Sequence, residues 1–259
     1  MGSDLESLPF LGRTFKGEKL QVELIAHTQM DMPNVDAIRN HAPKIADDWV
    51  SSDADLLAEF AGRSCYQSFH KPNPKTAPNP AYLANILNQG HFSVLEHASA
   101  TFYVTGVSRA LTHELIRHRH LSYSELSQRF VNVEGAEFVD PPAVRDMGDP
   151  NKCGNGVACA VQAHGRISQD TYADLVDVLQ RRGLTRKQAR EAARAVMPNA
   201  TETRIVVTGN HRAWRDMLYK RYSVHADAEI REFAGEVLSQ LRVIAPGTYQ
   251  DFPGEPFSN

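Results

Sequence analysis

The densest group of charged and polar side chains lies at residues 117–130, which read RHRHLSYSELSQRF. Guanidinium groups bind phosphate oxygens in pairs and stack on flat rings, while hydroxyls and amides bind the edges of a heterocycle. The simpler interpretation is a solvated helix end, where cations complement the helix dipole. The helix predicted before this segment is apolar enough to be buried, however. The combination therefore favours a site for a phosphate and a planar heterocycle.

A second group of cations follows a helix start at Thr185. Arg186, Arg190 and Arg194 recur every four residues and therefore share one helix face. A solvated basic stripe, paired with acids such as Glu191, is the alternative interpretation. Small apolar residues flank Arg194 in the sequence, so we expect Arg194 to be the member that points inward.

A third cluster follows a predicted strand and contains Asn210, Arg212, Asp216 and Arg221. Patterns for metal and nucleophile chemistry are not found in the sequence. His113 begins like a zinc-protease helix, but the position four residues later is an arginine. The chain also contains no Gly-x-Ser-x-Gly turn and no glycine-rich phosphate loop of the Walker or Rossmann type. We therefore expect no metal site and no serine or cysteine nucleophile.

Composition limits the class of protein. The 259 residues are 42% hydrophobic, which is enough for the core of one domain. The net charge of -3 excludes a protein that coats polyanions without specificity. Three cysteines, Cys65, Cys153 and Cys159, predict no disulfide framework and a reducing compartment. With no long apolar run and an acidic start, we expect a cytoplasmic protein that is neither secreted nor inserted in a membrane.

Several elements must position these side chains. Residues 20–26 alternate in hydropathy and predict a half-buried strand. Residues 65–80 hold four prolines and predict a loop, followed by a helix with Asn79 as its cap, Pro80 at its first position and Gly90 at its end. Residues 100–104 predict a second strand, which leads to a helix beginning near Ser108.

The second half of the chain is mainly helical. We expect residues 134–156 to be a surface excursion, and a long helix from Val157 to Gly183. Thr185 and Gln188 form the pattern of a capping box, which begins a helix that must end before Pro198. A strand over 203–208 and two amphipathic helices, separated near Ser223, complete the chain. The predicted fold class is α+β (mixed α/β), a single domain with a central antiparallel or mixed sheet and large helical layers.

Several motifs resemble those of the flavin-dependent thymidylate synthases. Arg117-His118-Arg119, seven residues and then Ser127 is similar to the signature of that family. Further landmarks occur in the family's order: Gly90-His91-Phe92-Ser93, Glu96-His97, Ser127-Gln128-Arg129, Gly209-Asn210, and Arg221 ahead of His225-Ala226-Asp227. The resemblance is closest to the actinobacterial branch. It implies an N-terminal extension at 1–19, a synthase domain at 20–252 and a tail at 253–259.

The resemblance implies an enzyme that converts dUMP to dTMP. The carbon donor is 5,10-methylenetetrahydrofolate, and NADPH supplies the electrons through bound FAD. The family's fold is an unusual α/β one, assembled as a homotetramer with active sites where subunits meet. The implied partners are therefore dUMP, folate, NADPH and copies of the same chain, with no nucleic acid and no membrane.

The resemblance also carries roles onto individual positions. Those that match FAD contacts are Ser93, Arg117, His118, Arg119, Glu125, Asn210, His211, Arg212 and Asp216. Those that match dUMP contacts are Glu114, Arg117, Glu125, Ser127, Gln128, Arg129, Arg194 and Arg221. His91 and Tyr66 match positions that face folate and flavin, and Arg109 matches one that reaches an FAD or NADPH phosphate.

Among these positions, Arg221 and Ser127 carry the implied catalytic roles. Arg221 resembles the residue that favours ionisation of the uracil imide. Ser127 serves as a hydrogen-bond donor, since a serine without an adjacent base is a weak nucleophile. Arg129 and Arg194 are expected to bind the nucleotide phosphate. The sequence departs from relatives at Asp216, where they carry His or Asn, and at Glu125, where closer relatives carry an amide.

Two other functions remain possible from the residues alone. An RNA- or nucleotide-binding module would use the arginine clusters, with Tyr123 and Phe130 as stacking platforms. The overall acidity argues against it. A flavoprotein of similar fold that has lost synthase activity is the second alternative, and the intact set of Arg129, Arg194 and Arg221 argues against that.

Overall fold

Four strands form one antiparallel sheet in the computed structural model, which describes residues 19–31, 51–70, 73–145 and 157–258. The spatial order is β1-β2-β4-β3. The strands are β1 (Gln21–His27), β2 (Ser99–Ser108), β3 (Ser122–Glu125) and β4 (Glu202–Asn210). The predicted strands at 20–26, 100–104 and 203–208 are confirmed as β1, β2 and β4, whereas β3 was not predicted.

Eight α-helices accompany the sheet within the described ranges. They are α1 (Asp53–Tyr66), α2 (Asn79–Asn88), α3 (Arg109–Leu115), α4 (Pro142–Arg145), α5 (Val157–Arg181), α6 (Arg186–Ala193), α7 (His211–Arg221) and α8 (Ala228–Ile244). Short 3-10 turns occupy Pro74–Thr76, Phe92–Glu96 and Arg194–Val196. The predicted α+β class with a single sheet is confirmed. No helix of the described residues is long and apolar enough to cross a membrane.

The described residues divide into two compact units. The first contains residues 19–21, Val104–Arg117 and Ser124–Ile205. The second contains Val22–Tyr103, His118–Tyr123 and the chain from Val206 to its last described residue. Strands β2 and β4 contribute residues to both units. The predicted domain boundaries at residues 19/20 and 252/253 stay a prediction.

Strand β1 is an edge strand of the sheet. Its backbone is bonded by one side chain of α8, because Gln240 accepts from the Leu24 amide at 2.9 Å and donates to the Val22 carbonyl oxygen at 2.6 Å. An unpaired strand edge invites association with other strands. The Gln240 amide satisfies one donor and one acceptor of this edge within the chain.

Gly106 allows the backbone of β2 to pass close to the segment that leads into β1. Its φ is +66°, and a Cβ atom there would overlap the carbonyl oxygen of Lys19. The Gly106 amide donates to Glu202 Oε1 at 3.1 Å. Only glycine adopts this conformation without strain and leaves room for the neighbouring backbone.

Helix α1 was not predicted, and its buried face carries three charged residues beside Ala54, Leu56 and Ala58. The three charged residues are spaced at intervals of four and are almost fully buried. Their exposed fractions are 1% for Asp55, 4% for Glu59 and 6% for Arg63. Arg63 Nε pairs with Glu59 Oε1 at 2.6 Å. Asp55 accepts from the amides of Gly247 and Thr248 at 2.8 and 2.9 Å. Burial raises the pKa of the Asp55 carboxyl, and these hydrogen bonds oppose that rise.

Other element predictions need correction in detail. The cap of α2 is Pro78 and not Asn79, whose amide instead donates to Glu59 Oε2 at 2.8 Å. Residues 134–145 are not a simple surface excursion, because Phe138 and Val139 are buried. Phe138 forms an antiparallel backbone bridge with Thr201, which ties this segment to the residue before β4 in the first unit. Residues 146–156 lie outside the described residues.

The capping prediction for α6 is confirmed. Thr185 Oγ1 accepts from the Gln188 amide, and the Gln188 side chain accepts from the Thr185 amide at 3.0 Å. Ser108 caps α3 by accepting from the Leu111 amide at 3.1 Å. These caps depend on residues three apart in the sequence, so they form wherever the helix forms.

Candidate functional site

A histidine and an arginine 103 residues apart meet in the second unit. Arg221 Nε donates a hydrogen bond to His118 Nε2 across 3.0 Å. His118 is 7% exposed and Arg221 is half-buried. Burial and the charge of Arg221 lower the pKa of His118 to about 4. At neutral pH His118 is therefore an uncharged acceptor for the guanidinium.

Asp216 lies on α7 near the same histidine. Its Oδ2 is 4.0 Å from His118 Nδ1 and 2.7 Å from the ammonium of Lys220, one helical turn later. The carboxylate that departs from the family pattern is thus placed between a cation and an imidazole. Lys220 was not predicted as a site residue, although its spacing from Asp216 is that of a helical ion pair.

The start of α7 holds three positions predicted to contact FAD. The Asn210 side chain caps the helix by accepting from the Ala213 amide at 2.8 Å. His211 is buried, and its Nδ1 lies 2.9 Å from the Tyr249 hydroxyl. Burial lowers the pKa of His211 to about 4. Arg212 is exposed and forms an ion pair with Glu96. Of the three, Arg212 is the side chain that solvent reaches most.

A cavity of about 330 Å³ opens in the second unit. Four predicted site residues line it, namely Tyr66, His91, Ser93 and Arg212. The apolar side chains of Ile86, Phe92 and Val94 also line it. An apolar wall suits a flat ring, and the hydroxyl and guanidinium suit polar edges or an anion. This lining fits part of a flavin nucleotide.

A separate polar group lies in the first unit around Glu125. Arg109 Nη1 lies 2.9 Å from Glu125 Oε1, and the Thr112 hydroxyl donates to the same oxygen at 3.0 Å. Glu125 and Arg109 thus compensate each other's charge. A ligand anion bound at Arg109 would compete with this carboxylate.

Residues Ser127–Val131 form a tight turn in the first unit. The Ser127 carbonyl oxygen accepts from the amides of Phe130 and Val131, at 3.2 and 2.9 Å. Gln128 is buried, while Arg129 is exposed and its guanidinium lies 5.6 Å from the centre of the Phe130 ring. The turn therefore presents the Arg129 side chain to solvent.

The arginines of α6 are arranged differently from the prediction. Arg194, which we expected to point inward, is exposed and begins the 3-10 turn after the helix. Arg190 is the inward member, and its Nη1 donates to the Phe130 carbonyl oxygen at 2.8 Å. Arg190 and Arg186 also line a cavity of about 440 Å³ with Tyr172. Their shared helix face was visible in the sequence, but the member that turns inward was not.

Three of the remaining positions lie in the last turn of α3 or just after it. Glu114 is half-buried, and its carbonyl oxygen accepts from the Arg117 amide at 3.2 Å. The side chains of Arg117 and Arg119 are exposed. In the Arg117-His118-Arg119 motif, two exposed guanidinium groups therefore flank a buried imidazole ring.

The predicted ligand sets separate between the two units. All positions assigned to dUMP belong to the first unit except Arg221. All positions assigned to FAD belong to the second unit except Arg117 and Glu125. The positions matched to folate, flavin or NADPH follow the same division, with Tyr66 and His91 in the second unit and Arg109 in the first.

Comparison with known proteins adds independent information. A family model described as "Thymidylate synthase complementing protein" matches residues 46–247. The chain is 51% identical over 243 residues to a protein of Mycobacterium tuberculosis (strain H37Rv) named flavin-dependent thymidylate synthase, covering 90% of each chain. Proteins of the same name from Mycobacteroides abscessus and Mycolicibacterium gilvum are 51% and 50% identical over the same length, with the same coverage.

Proposed function

This chain belongs to the flavin-dependent thymidylate synthase family, and we propose how its own residues serve the reaction of that family. The reaction is the reductive methylation of dUMP to dTMP by an FAD-dependent enzyme. The carbon comes from 5,10-methylenetetrahydrofolate. The family assignment replaces the alternative of an RNA-binding module.

The observation that carries the proposal is the contact between Arg190 and the Phe130 carbonyl oxygen. It ties the turn that bears Arg129 to helix α6, which Arg194 directly follows. Two guanidinium groups from segments about 60 residues apart thereby belong to one locality. Paired arginines bind phosphate oxygens with both charge and geometry. We assign this locality of the first unit to the phosphate of dUMP.

Hydrogen-bond groups close to that turn suit the nucleoside part of dUMP. Ser127 offers a hydroxyl, and Gln128 offers both an amide donor and an amide acceptor. Glu114 and Glu125 offer carboxylates to ribose hydroxyl or imide N–H groups. In this proposal Ser127 donates a hydrogen bond to the substrate and forms no covalent bond with it, because no adjacent base would activate it.

Arg221 is assigned to the uracil ring. Loss of the imide proton places negative charge on the ring, and a guanidinium remains positive at every working pH. Arg221 therefore stabilises that charge without taking up or releasing a proton. This role requires the Arg221 guanidinium to be held in place before the substrate binds, because electrostatic stabilisation depends on preorganised groups.

The second unit is assigned to FAD. FAD supplies hydride transfer when it is bound, which is chemistry that no side chain provides. The cavity lined by Tyr66, His91, Ser93 and Arg212 is the part of the chain that we assign to it. Arg119 and Arg212 are exposed cations suited to the pyrophosphate, while the apolar wall suits the ring system.

Further features of the family extend the proposal. We infer that NADPH is the reductant, that four copies assemble, and that active sites form where subunits meet. This assembly would bring residues from more than one chain to each active site. We also infer a cytoplasmic location, since NADPH and the nucleotide substrate are metabolites of that compartment.

The purified protein tests the proposal directly. We expect it to be yellow or to become yellow on reconstitution with FAD. Its flavin should be bleached by NADPH and should recover colour when dUMP and methylenetetrahydrofolate are added, with release of dTMP. A protein that binds no FAD, or one that binds FAD but releases no dTMP, would refute the function.

A further inference from the structure

The bond between His118 and Arg221 restricts what His118 does. A hydrogen bond from Arg221 Nε at 3.0 Å requires a lone pair on His118 Nε2. In the neutral ring the single proton is therefore on Nδ1. The side chain is 6% exposed, so the ring offers little surface to a ligand. The imidazole is committed to the arginine.

We propose that His118 is a positioning residue for Arg221, whose guanidinium it holds in the orientation needed at the uracil ring. This inference rests on the proposed function of Arg221. It also identifies the middle residue of the Arg-His-Arg motif as an internal support between two exposed arginines.

The charge state of His118 is essential to this role. A protonated imidazole would direct an N–H group and a positive charge at the guanidinium, so the bond would be lost. The charged groups facing the ring are Arg221, Lys220 and Asp216. Burial, Arg221 and Lys220 lower the pKa of His118, Asp216 opposes them, and the result is about 4. The acceptor is therefore maintained through the neutral range.

Arg221 needs such a support because of where it lies. It is the last residue of α7, where the backbone leaves helical geometry. An arginine side chain has four rotatable bonds, and binding must remove the freedom that they retain. A bond at Nε fixes the plane of the whole guanidinium before the substrate arrives. The two Nη groups then keep a constant direction.

Asp216 supports the tautomer that the bond requires. Its Oδ2 lies 4.0 Å from Nδ1, the nitrogen that carries the proton. Negative charge on this side of the ring favours a proton there. Asp216 is thus suited to orienting His118 through its charge, which gives the carboxylate at this position a role that does not involve contact with a flavin phosphate.

The test compares side chains that differ in where they place an acceptor. In His118→Gln the amide oxygen can reach close to the original Nε2 position. His118→Asn carries the same amide on a shorter side chain, and His118→Leu has no acceptor. Each variant is prepared as the holoenzyme, and four quantities are measured: bound FAD, the rate of flavin reduction by NADPH, dUMP affinity and dTMP formation.

We expect His118→Leu and His118→Asn to retain FAD and NADPH-dependent reduction. Their dTMP formation should fall about 10- to 100-fold, because small displacements of a catalytic group have effects of that order. His118→Gln should recover most of the loss. Equal activity of the Gln and Asn variants would overturn the proposal, and so would loss of FAD from all three. If His118→Leu does not fold, the comparison of His118→Gln with His118→Asn still tests whether an acceptor near the Nε2 position is required.

A double-mutant cycle separates positioning from general support of the fold. In the Arg221→Ala background, His118→Asn should cause no further loss of dUMP affinity or dTMP formation. Additive losses would contradict an action through Arg221. If the wild-type holoenzyme forms no dTMP, the proposed function fails, whereas the cycle measured on dUMP affinity still reports on His118.

Discussion

Arg190 Nη1 donates a hydrogen bond to the carbonyl oxygen of Phe130, 2.8 Å away and 60 residues earlier in the chain. The bond joins α6 to the turn that follows Ser127. It explains why the arginine stripe of α6 is not a uniform solvated face. Arg190 supports the neighbouring turn, whereas Arg186 and Arg194 extend to solvent.

Replacing Arg190 should loosen the turn that carries Arg129. We expect Arg190→Ala to weaken dUMP binding about 10-fold, which corresponds to about 1.4 kcal/mol, because one charge-assisted hydrogen bond is lost. Binding is measured by titration of the holoenzyme with dUMP. Arg186→Ala is the matched control, since Arg186 is exposed on the same helix. Equal effects of the two substitutions would contradict a specific role for Arg190.

Arg194 is predicted to contact the phosphate of dUMP directly. Arg194→Ala should weaken dUMP binding by roughly 1.5 to 3 kcal/mol, or about 10- to 150-fold, the usual size for a charge-assisted hydrogen bond. FAD content should not change, because Arg194 belongs to the unit that holds the dUMP positions. Unchanged dUMP affinity would contradict the phosphate contact and would favour the interpretation of Arg194 as a solvated surface cation.

Gly106 should tolerate no side chain. We expect Gly106→Ala to reduce the free energy of unfolding by about 3 kcal/mol or more, since an unfavourable φ adds to an overlap with the Lys19 backbone. Gly90→Ala is the control, because its φ of +69° is similar but its Cβ would meet no atom within 4 Å. Gly90→Ala should cost only about 1 kcal/mol. Urea denaturation of both variants measures the difference, and equal losses would exclude the backbone overlap.

His211 should make the stability of the fold sensitive to acid. Its pKa is lowered from 6.5 to about 4 by burial, with a further contribution from His27. At a pH between these two pKa values, His211 is protonated in the unfolded chain but not in the folded chain. Stability therefore falls as the pH decreases from 6.5 towards 4, by up to roughly 3 kcal/mol from this residue.

The measurement is the free energy of unfolding of the wild type and of His211→Gln at several pH values between 7 and 4.5. The difference between the two proteins should shrink as the pH decreases, because the variant lacks the proton-binding group. A difference that is independent of pH would contradict a neutral, buried His211.

Local sequence determined the elements whose signals lie within a few residues. The capping box of Thr185 and Gln188 and the alternation of Leu20, Val22 and Leu24 are examples, and the structure confirms both. The motif residues were also recognisable, because their types and spacing are those of a known family. These features depend on backbone geometry and residue chemistry alone.

Tertiary structure decided which polar side chains are buried and what they contact. Asp55 on α1 bonds to Thr248, 193 residues away, and His118 bonds to Arg221, 103 residues away. The buried face of α1 mixes Asp55, Glu59 and Arg63 with small apolar residues, and the polar members are stable there only because of partners that the local sequence does not reveal. Likewise the residues that flank Arg194 favoured the wrong inward member, because packing turns Arg190 towards Phe130 and leaves Arg194 in solvent. The physical reason is that a buried polar group is stable only with its partner, and the partner comes from a distant part of the chain.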